Sequence, residues 1–179
     1  SQDLGRFHSQ HGNGTSPVVY DGRVFVNFDQ DRLDFNTRKE IPEQEHATAM
    51  LAFDAATGKP LWRRERKGQY ACYSVPMMRD TANVGRELIV MNTHALTAYD
   101  PATGSTNWQF DWTWKEGEEV LRTVASPVMC KDLIYIHGGN GAGTCRITAV
   151  RAGEPGKPPE AVWEKRKGFA YVPCMLVAG

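Results

Sequence analysis

Apolar and polar positions along the chain alternate in short runs with a period of two, the mark of half-buried strands rather than of helices. Ser16-Pro-Val-Val-Tyr20 and Arg23-Val-Phe-Val-Asn-Phe28 flank an Asp21-Gly22 turn signal. Val75-Pro-Met-Met78 and Glu87-Leu-Ile-Val-Met-Asn92 repeat the arrangement, as do Ser126-Pro-Val-Met-Cys130 and Leu133-Ile-Tyr-Ile136. β-Branched and aromatic residues dominate these runs. Pro17, Pro76, Pro127 and Pro173 each open the first strand of a unit, where a missing N–H does least harm to a ladder. The pattern predicts an all-β chain.

The runs belong to a repeat. Leu51-Ala-Phe-Asp54-Ala-Ala-Thr57-Gly58-Lys-Pro-Leu-Trp62 returns as Leu96-Thr-Ala-Tyr-Asp100-Pro-Ala-Thr103-Gly104-Ser-Thr-Asn-Trp108, with 46 residues between equivalent aspartates and between equivalent tryptophans. Asp-x-x-Thr-Gly suits a tight turn in which the carboxylate accepts backbone N–H groups and glycine takes positive φ. The tryptophan, on the returning strand, predicts a wedge between neighbouring sheets whose indole N–H seeks a carbonyl. In a third copy Arg151 stands where the aspartate is expected, and a Gly- and Pro-rich insertion from Gly153 to Pro159 delays Trp163. Each unit therefore reads as four antiparallel strands, and a period of this length fits the blade of a β-propeller. The expected blades are approximately 14–66, 73–112 and 124–167. Residues 1–13 read as the end of a preceding blade and 170–179 as the first strand of a following one. About three blades with partial flanking strands make an incomplete ring, which calls for further blades from the same or another chain.

With Asp54, Gly58, Trp62, Asp100, Gly104 and Trp108 as the structural repeat, and Trp163 as its weaker copy, the chain resembles the pyrroloquinoline-quinone-type β-propeller superfamily. That superfamily includes quinoprotein alcohol dehydrogenases and the propeller lipoprotein of outer-membrane protein assembly. The resemblance implies a periplasmic or extracytoplasmic location. It also implies two functions: a non-catalytic scaffold binding a protein, peptide or glycan through its loops, or a segment of an oxidoreductase dependent on pyrroloquinoline quinone and calcium. The dehydrogenases often carry a pair of adjacent cysteines over the quinone. Here Cys72, Cys130, Cys145 and Cys174 stand far apart, and no Asp, Glu or Asn matches a calcium set by motif, so no cofactor is assigned and the scaffold is favoured. The cysteines read as buried free thiols, with disulfides open in an exported protein.

Charge narrows the partners. Lysine plus arginine equals aspartate plus glutamate at 21 each, which argues against nucleic acid, and no apolar stretch is long enough for a membrane span.

Because the tryptophans are committed to packing, function is sought in the loops. Those entering the first strand and joining the second to the third emerge on one face of a propeller. Candidate ligand or partner residues there are His11, Tyr70, Tyr73, His94, Trp112, Trp114, Arg122, His137 and Asn140, accompanied by His8, Gln10, Asn13, Asp29, Gln30 and Asp31. Trp112 and Trp114 suit stacking on sugar or a partner's side chains if exposed, or pinning of the loop if tucked down. His11, His94 and His137 come from successive units, yet their spacing does not specify a metal, and none is assigned. Gly138 to Gly143 lacks the Lys-Ser/Thr and the following helix of a phosphate loop and reads as a flexible connection. The charged insertion from Asp31 to His46 is long enough to suggest a partner-binding excursion.

Overall fold

The structure, a computed structural model, describes residues 3–34, 36–83, 85–112, 122–140, 144–169 and 171–178. Twelve strands among them form three antiparallel four-stranded sheets in simple sequence order. The first sheet holds β1 (Val18–Tyr20), β2 (Arg23–Phe28), β3 (Ala49–Asp54) and β4 (Pro60–Glu65). The second holds β5 (Met77–Thr81), β6 (Gly85–Met91), β7 (Ala95–Tyr99) and β8 (Thr106–Asp111). The third holds β9 (Val128–Cys130), β10 (Leu133–Gly139), β11 (Cys145–Arg151) and β12 (Glu160–Arg166). The sheets are open, as blades are. Gly138 and Gly139 extend β10 instead of beginning a loop, because each pairs across to β11.

Two-residue periodicity decides which sheet touches which. Leu88 and Val90 of β6 join Phe25, Met50 and Ala52 of the first sheet, whereas Ile89 and Met91 join Ile134, Ile136 and Val150 of the third. Buried on both faces, β6 needs no polar alternation, and Leu88-Ile-Val-Met91 is accordingly a continuous apolar run. On its far side the first sheet packs Phe28 and Leu51 with Phe7, whose ring centroid lies 5.3 Å from that of Phe28.

The turns obey the chemistry of their sequence. Asp54 Oδ1 accepts the N–H groups of Ala56 and Thr57 at 3.2 and 2.7 Å, and Gly58 follows at φ +70°. The Thr57 hydroxyl, donating to the same oxygen at 2.6 Å, together with these N–H groups holds the exposed Asp54 carboxyl below its ordinary pKa of 3.8. Asp100 Oδ1 likewise accepts from Ala102 and Thr103, with Gly104 at φ +71°. In the third sheet Arg151 instead pairs with Glu160 at 3.1 Å and with Asp132. A β-bulge between the third and fourth strands survives in all three sheets, at Ala52/Phe53, Ala98/Tyr99 and Ala149/Val150. It inserts Leu61, Asn107 or Val162 just before the tryptophan and re-aims the strand there.

Trp62 lies over Gly104 of the next sheet and donates from Nε1 to the Pro101 carbonyl at 3.1 Å. Trp108 lies over Gly153, but its Nε1 donates to Glu87 Oε2 at 3.3 Å, a carboxylate within its own sheet. Trp163 is 42% exposed and packs on Tyr135 at 5.9 Å between centroids.

Candidate functional site

The connections before β1, β5 and β9, the insertion between β2 and β3, and the short turns after β6 and β10 supply the polar groups. Asp31 is their hub. Its Oδ2 accepts from Gln10 N at 2.7 Å, its Oδ1 accepts from Ala71 N at 2.8 Å, and Arg122 Nη1 stands 3.6 Å from Oδ1. Arg122 also donates to Gln10 Oε1 at 2.9 Å and covers the Tyr70 ring at 4.5 Å from its centroid. One buried carboxylate thus ties together the entries to the first, second and third sheets, with charge-assisted bonds compensating its loss of water.

A second polar group is buried at the seam of the first two sheets. Asp29, just after β2, has no exposed side-chain surface, and Arg66, just after β4, is 4% exposed, with Nη2 3.6 Å from Asp29 Oδ2. Arg66 Nη1 also donates to Asn27 at 3.1 Å. Burial pushes the Asp29 pKa up to about 6, against the opposing pull of Arg66 and of the Asn27 and Asn92 amides. Beside it the Cys72 thiol donates to Met91 O at 3.0 Å, and burial, reinforced by Asp29, pushes its pKa up to about 12. This cysteine is a packing group rather than a nucleophile. All four cysteines are free, Cys72 and Cys145 buried, Cys130 half-buried and Cys174 exposed.

Next to this pair the insertion and the connection after β4 bound a cleft of about 1040 Å³. Ile41, Glu43 and His46 line it from the insertion, and Arg66, Lys67 and Gln69 from the connection. The insertion is ordered by a Leu33–Glu40 bridge and by a 3₁₀ turn over Glu43–Glu45.

The structure separates the candidate residues into several environments. Tyr70 and Arg122 come together, as just described. Tyr73 donates or accepts at Ser9 Oγ at 2.9 Å, with His11 beside its ring at 6.3 Å. His94 lines the cleft, 3.9 Å from Asp111 Oδ1. Trp112 is buried, with the Arg146 guanidinium 5.1 Å over its ring, so the tucked-down arrangement holds. Trp114 lies outside the described residues. His137 is buried at 2% exposure, stacked on Phe169, and its Nε2–H donates to Tyr171 O at 3.0 Å. Its pKa is lowered by burial. Asn140 closes the β10–β11 connection by accepting Thr144 N at 3.3 Å. His11, His94 and His137 therefore do not converge, and no group of three or more potential ligands among the described residues has the arrangement to hold a metal ion.

Asp31 and the insertion are legible in the sequence, whereas Arg66 is not among the candidates it offers. Arg66 follows a strand whose own cations are exposed, and nothing in the sequence shows which cation turns inward to Asp29.

Three solved structures share the fold. Quinohemoprotein alcohol dehydrogenase from Comamonas testosteroni matches 87% of this chain and 21% of its own length, at 18% identity and a TM-score of 0.55. Quinohemoprotein alcohol dehydrogenase ADHIIG from Pseudomonas putida HK5 matches 87% and 20%, at 16% and 0.53. A europium-containing methanol dehydrogenase matches 89% and 26%, at 13% and 0.54. The chain thus spans about a quarter or less of each. No curated protein matches it in sequence. The family model described as outer membrane protein assembly factor BamB matches residues 4–179, from the N-terminal connection through all three sheets, and the chain belongs to that pyrroloquinoline-quinone-like β-propeller family.

Proposed function

We propose that this propeller segment is a non-catalytic scaffold that holds a protein or peptide partner on its loop face, in an extracytoplasmic compartment. The observation that carries this reading is the open cleft of about 1040 Å³ between the insertion and the second sheet. It is lined by charged and amide side chains, among them Glu43, Lys67 and Gln69, on the connections between strands. The family description, which names an outer-membrane protein assembly factor, is in keeping with a protein partner. The tryptophans act as docking wedges that set the spacing of the loops.

Pyrroloquinoline quinone with calcium requires a flat ring left open for stacking and carboxylates left over for the cation. Here the Tyr70 ring is covered by Arg122, the Trp112 ring by Arg146, and both Asp31 oxygens are engaged by backbone N–H groups. These candidate groups are thus already engaged within the chain, which supports the scaffold reading.

Panning a random peptide library against the chain tests the proposal. Peptides selected on it should lose binding to a Lys67→Ala, Gln69→Ala, Glu43→Ala variant of unchanged melting temperature. Selection of no peptide sensitive to these changes, or dye reduction on addition of the quinone and calcium, would overturn the scaffold reading.

A further inference from the structure

We propose that the cleft takes an acidic peptide segment and that the buried Asp29–Arg66 pair tightens its hold on that segment as the medium becomes acidic. This rests on the scaffold reading and adds the chemistry of the partner and its control.

Ion pairing of cleft residues with neighbours outside it leaves a near balance of charge. Glu65 is engaged by Arg63 at 2.6 Å and Arg66 by Asp29 at 3.6 Å. Arg32 and Lys67 then face Glu40 and Glu43, two cations against two anions. The sign of the cleft is therefore decided by whether Asp29 cancels Arg66. Asp29 and Arg66 are both almost wholly out of water, so their charges are weakly screened and are felt in the cleft that Arg66 lines.

The groups facing Asp29 are Asn27 on β2, Arg66 after β4, Cys72 in the connection before β5, and Asn92 after β6. Asn27 and Asn92 are neutral, and Cys72 keeps its proton until about pH 12. A guanidinium keeps its charge in proteins. Neutralising Asp29 therefore leaves Arg66 as one uncancelled positive charge, and the buried carboxyl takes its proton at about pH 6. An anion bound above Arg66 favours that proton further, so binding and protonation reinforce one another. His46 and His94 also line the cleft, and their contribution is removed in the test by changing both to Gln.

The probe is rhodamine-labelled hexa-aspartate, read by fluorescence anisotropy at pH 5.5 and 8.0 on the His46→Gln, His94→Gln background. Affinity should rise roughly five- to tenfold at the lower pH, the effect of one weakly screened charge at the cleft. Adding Asp29→Asn should give the tighter binding at both pH values. In parallel, the Asp29 carboxyl carbon resonance of the parent chain should titrate at higher pH when the probe is present, a readout that needs no variant. Binding with no pH dependence, an unchanged Asp29 titration, or no binding of the probe at either pH would overturn the inference. Peptides selected in the panning experiment that hold the cleft equally at both pH values would sink this inference alone and leave the scaffold standing.

Discussion

A Cβ placed on Gly104 would stand 2.6 Å from Cδ2 of Trp62, so the indole of one sheet rests on the bare backbone of the next. Gly58 has the same turn and the same positive φ, but a Cβ there meets nothing within 4 Å. The two glycines separate a conformational requirement from a steric one. Gly58→Ala should cost about 1 kcal/mol, the penalty for a side chain in the left-handed region. Gly104→Ala should cost roughly 2–3 kcal/mol more, because Trp62 must leave its seat. Urea unfolding of the two variants measures the difference, and equal losses would show that Trp62 adapts freely.

Glu87 is the only carboxylate among the described residues that receives an indole N–H. It lies 1% exposed, pairs with Arg79 at 2.7 Å and accepts from Asn107 at 2.9 Å and from Trp108. Glu87→Ala leaves a nearly buried guanidinium without its partner and should cost about 3–5 kcal/mol. Replacing Arg79 with Met as well should recover part of that loss, since no buried charge then remains uncompensated. A double-mutant cycle by chemical denaturation reads the recovery, and strict additivity would argue against coupling.

Asp31 holds two connections by their backbone. Asp31→Asn turns one acceptor into a donor facing an N–H, at a cost of about 2 kcal/mol. Amide exchange at Gln10 and Ala71 should accelerate tenfold or more, while amides in β6 and β7 should change less. Uniform acceleration across the chain would mean that the substitution lowers global stability instead of freeing these connections.

Asp29 makes stability depend on pH with a definite sign. Its pKa is about 6 in the fold against an ordinary 3.8, so between these values the folded chain carries a proton that the unfolded chain lacks. Folding therefore gains from this group as pH falls from 6 toward 4, and the gain is lost as pH rises through 6. Relative to Asp29→Asn, the parent chain should become more stable by on the order of 2 kcal/mol between pH 7.5 and pH 4.5. His137, whose pKa is lowered by burial, works in the opposite direction but equally in both proteins. Parallel stability profiles for the two proteins would contradict the assignment.

Much of the fold was legible because the repeat writes its chemistry locally. Asp54-x-x-Thr-Gly58 and Asp100-x-x-Thr-Gly104 specify their turns through side chains a few residues apart, and alternation specifies which face each strand buries. The bulge before each tryptophan was not legible, since Leu61, Asn107 and Val162 share no chemistry and the extra residue shows only in pairing across the sheet. Gly138 and Gly139 were misplaced because glycine composition suggested a loop where the ladder to β11 continues. The seam pair escaped for a related reason. Asp29 and Arg66 are 37 residues apart in sequence, and only the pairing of β2 with β3 and of β3 with β4 brings them together. Candidate loops could be ranked by polarity, but polarity alone does not distinguish His94, which reaches the cleft, from His137, which is sealed beneath Phe169.

The seating of Trp62 on Gly104 and of Trp108 on Gly153 gives the row of sheets a polarity, with a ring leading on one side and a bare glycine receiving on the other. Every unit carries both halves of its own joint. A gene duplication that copies one whole unit therefore creates a new junction with the fittings already in place, and growth by tandem copying needs no new interface to be invented.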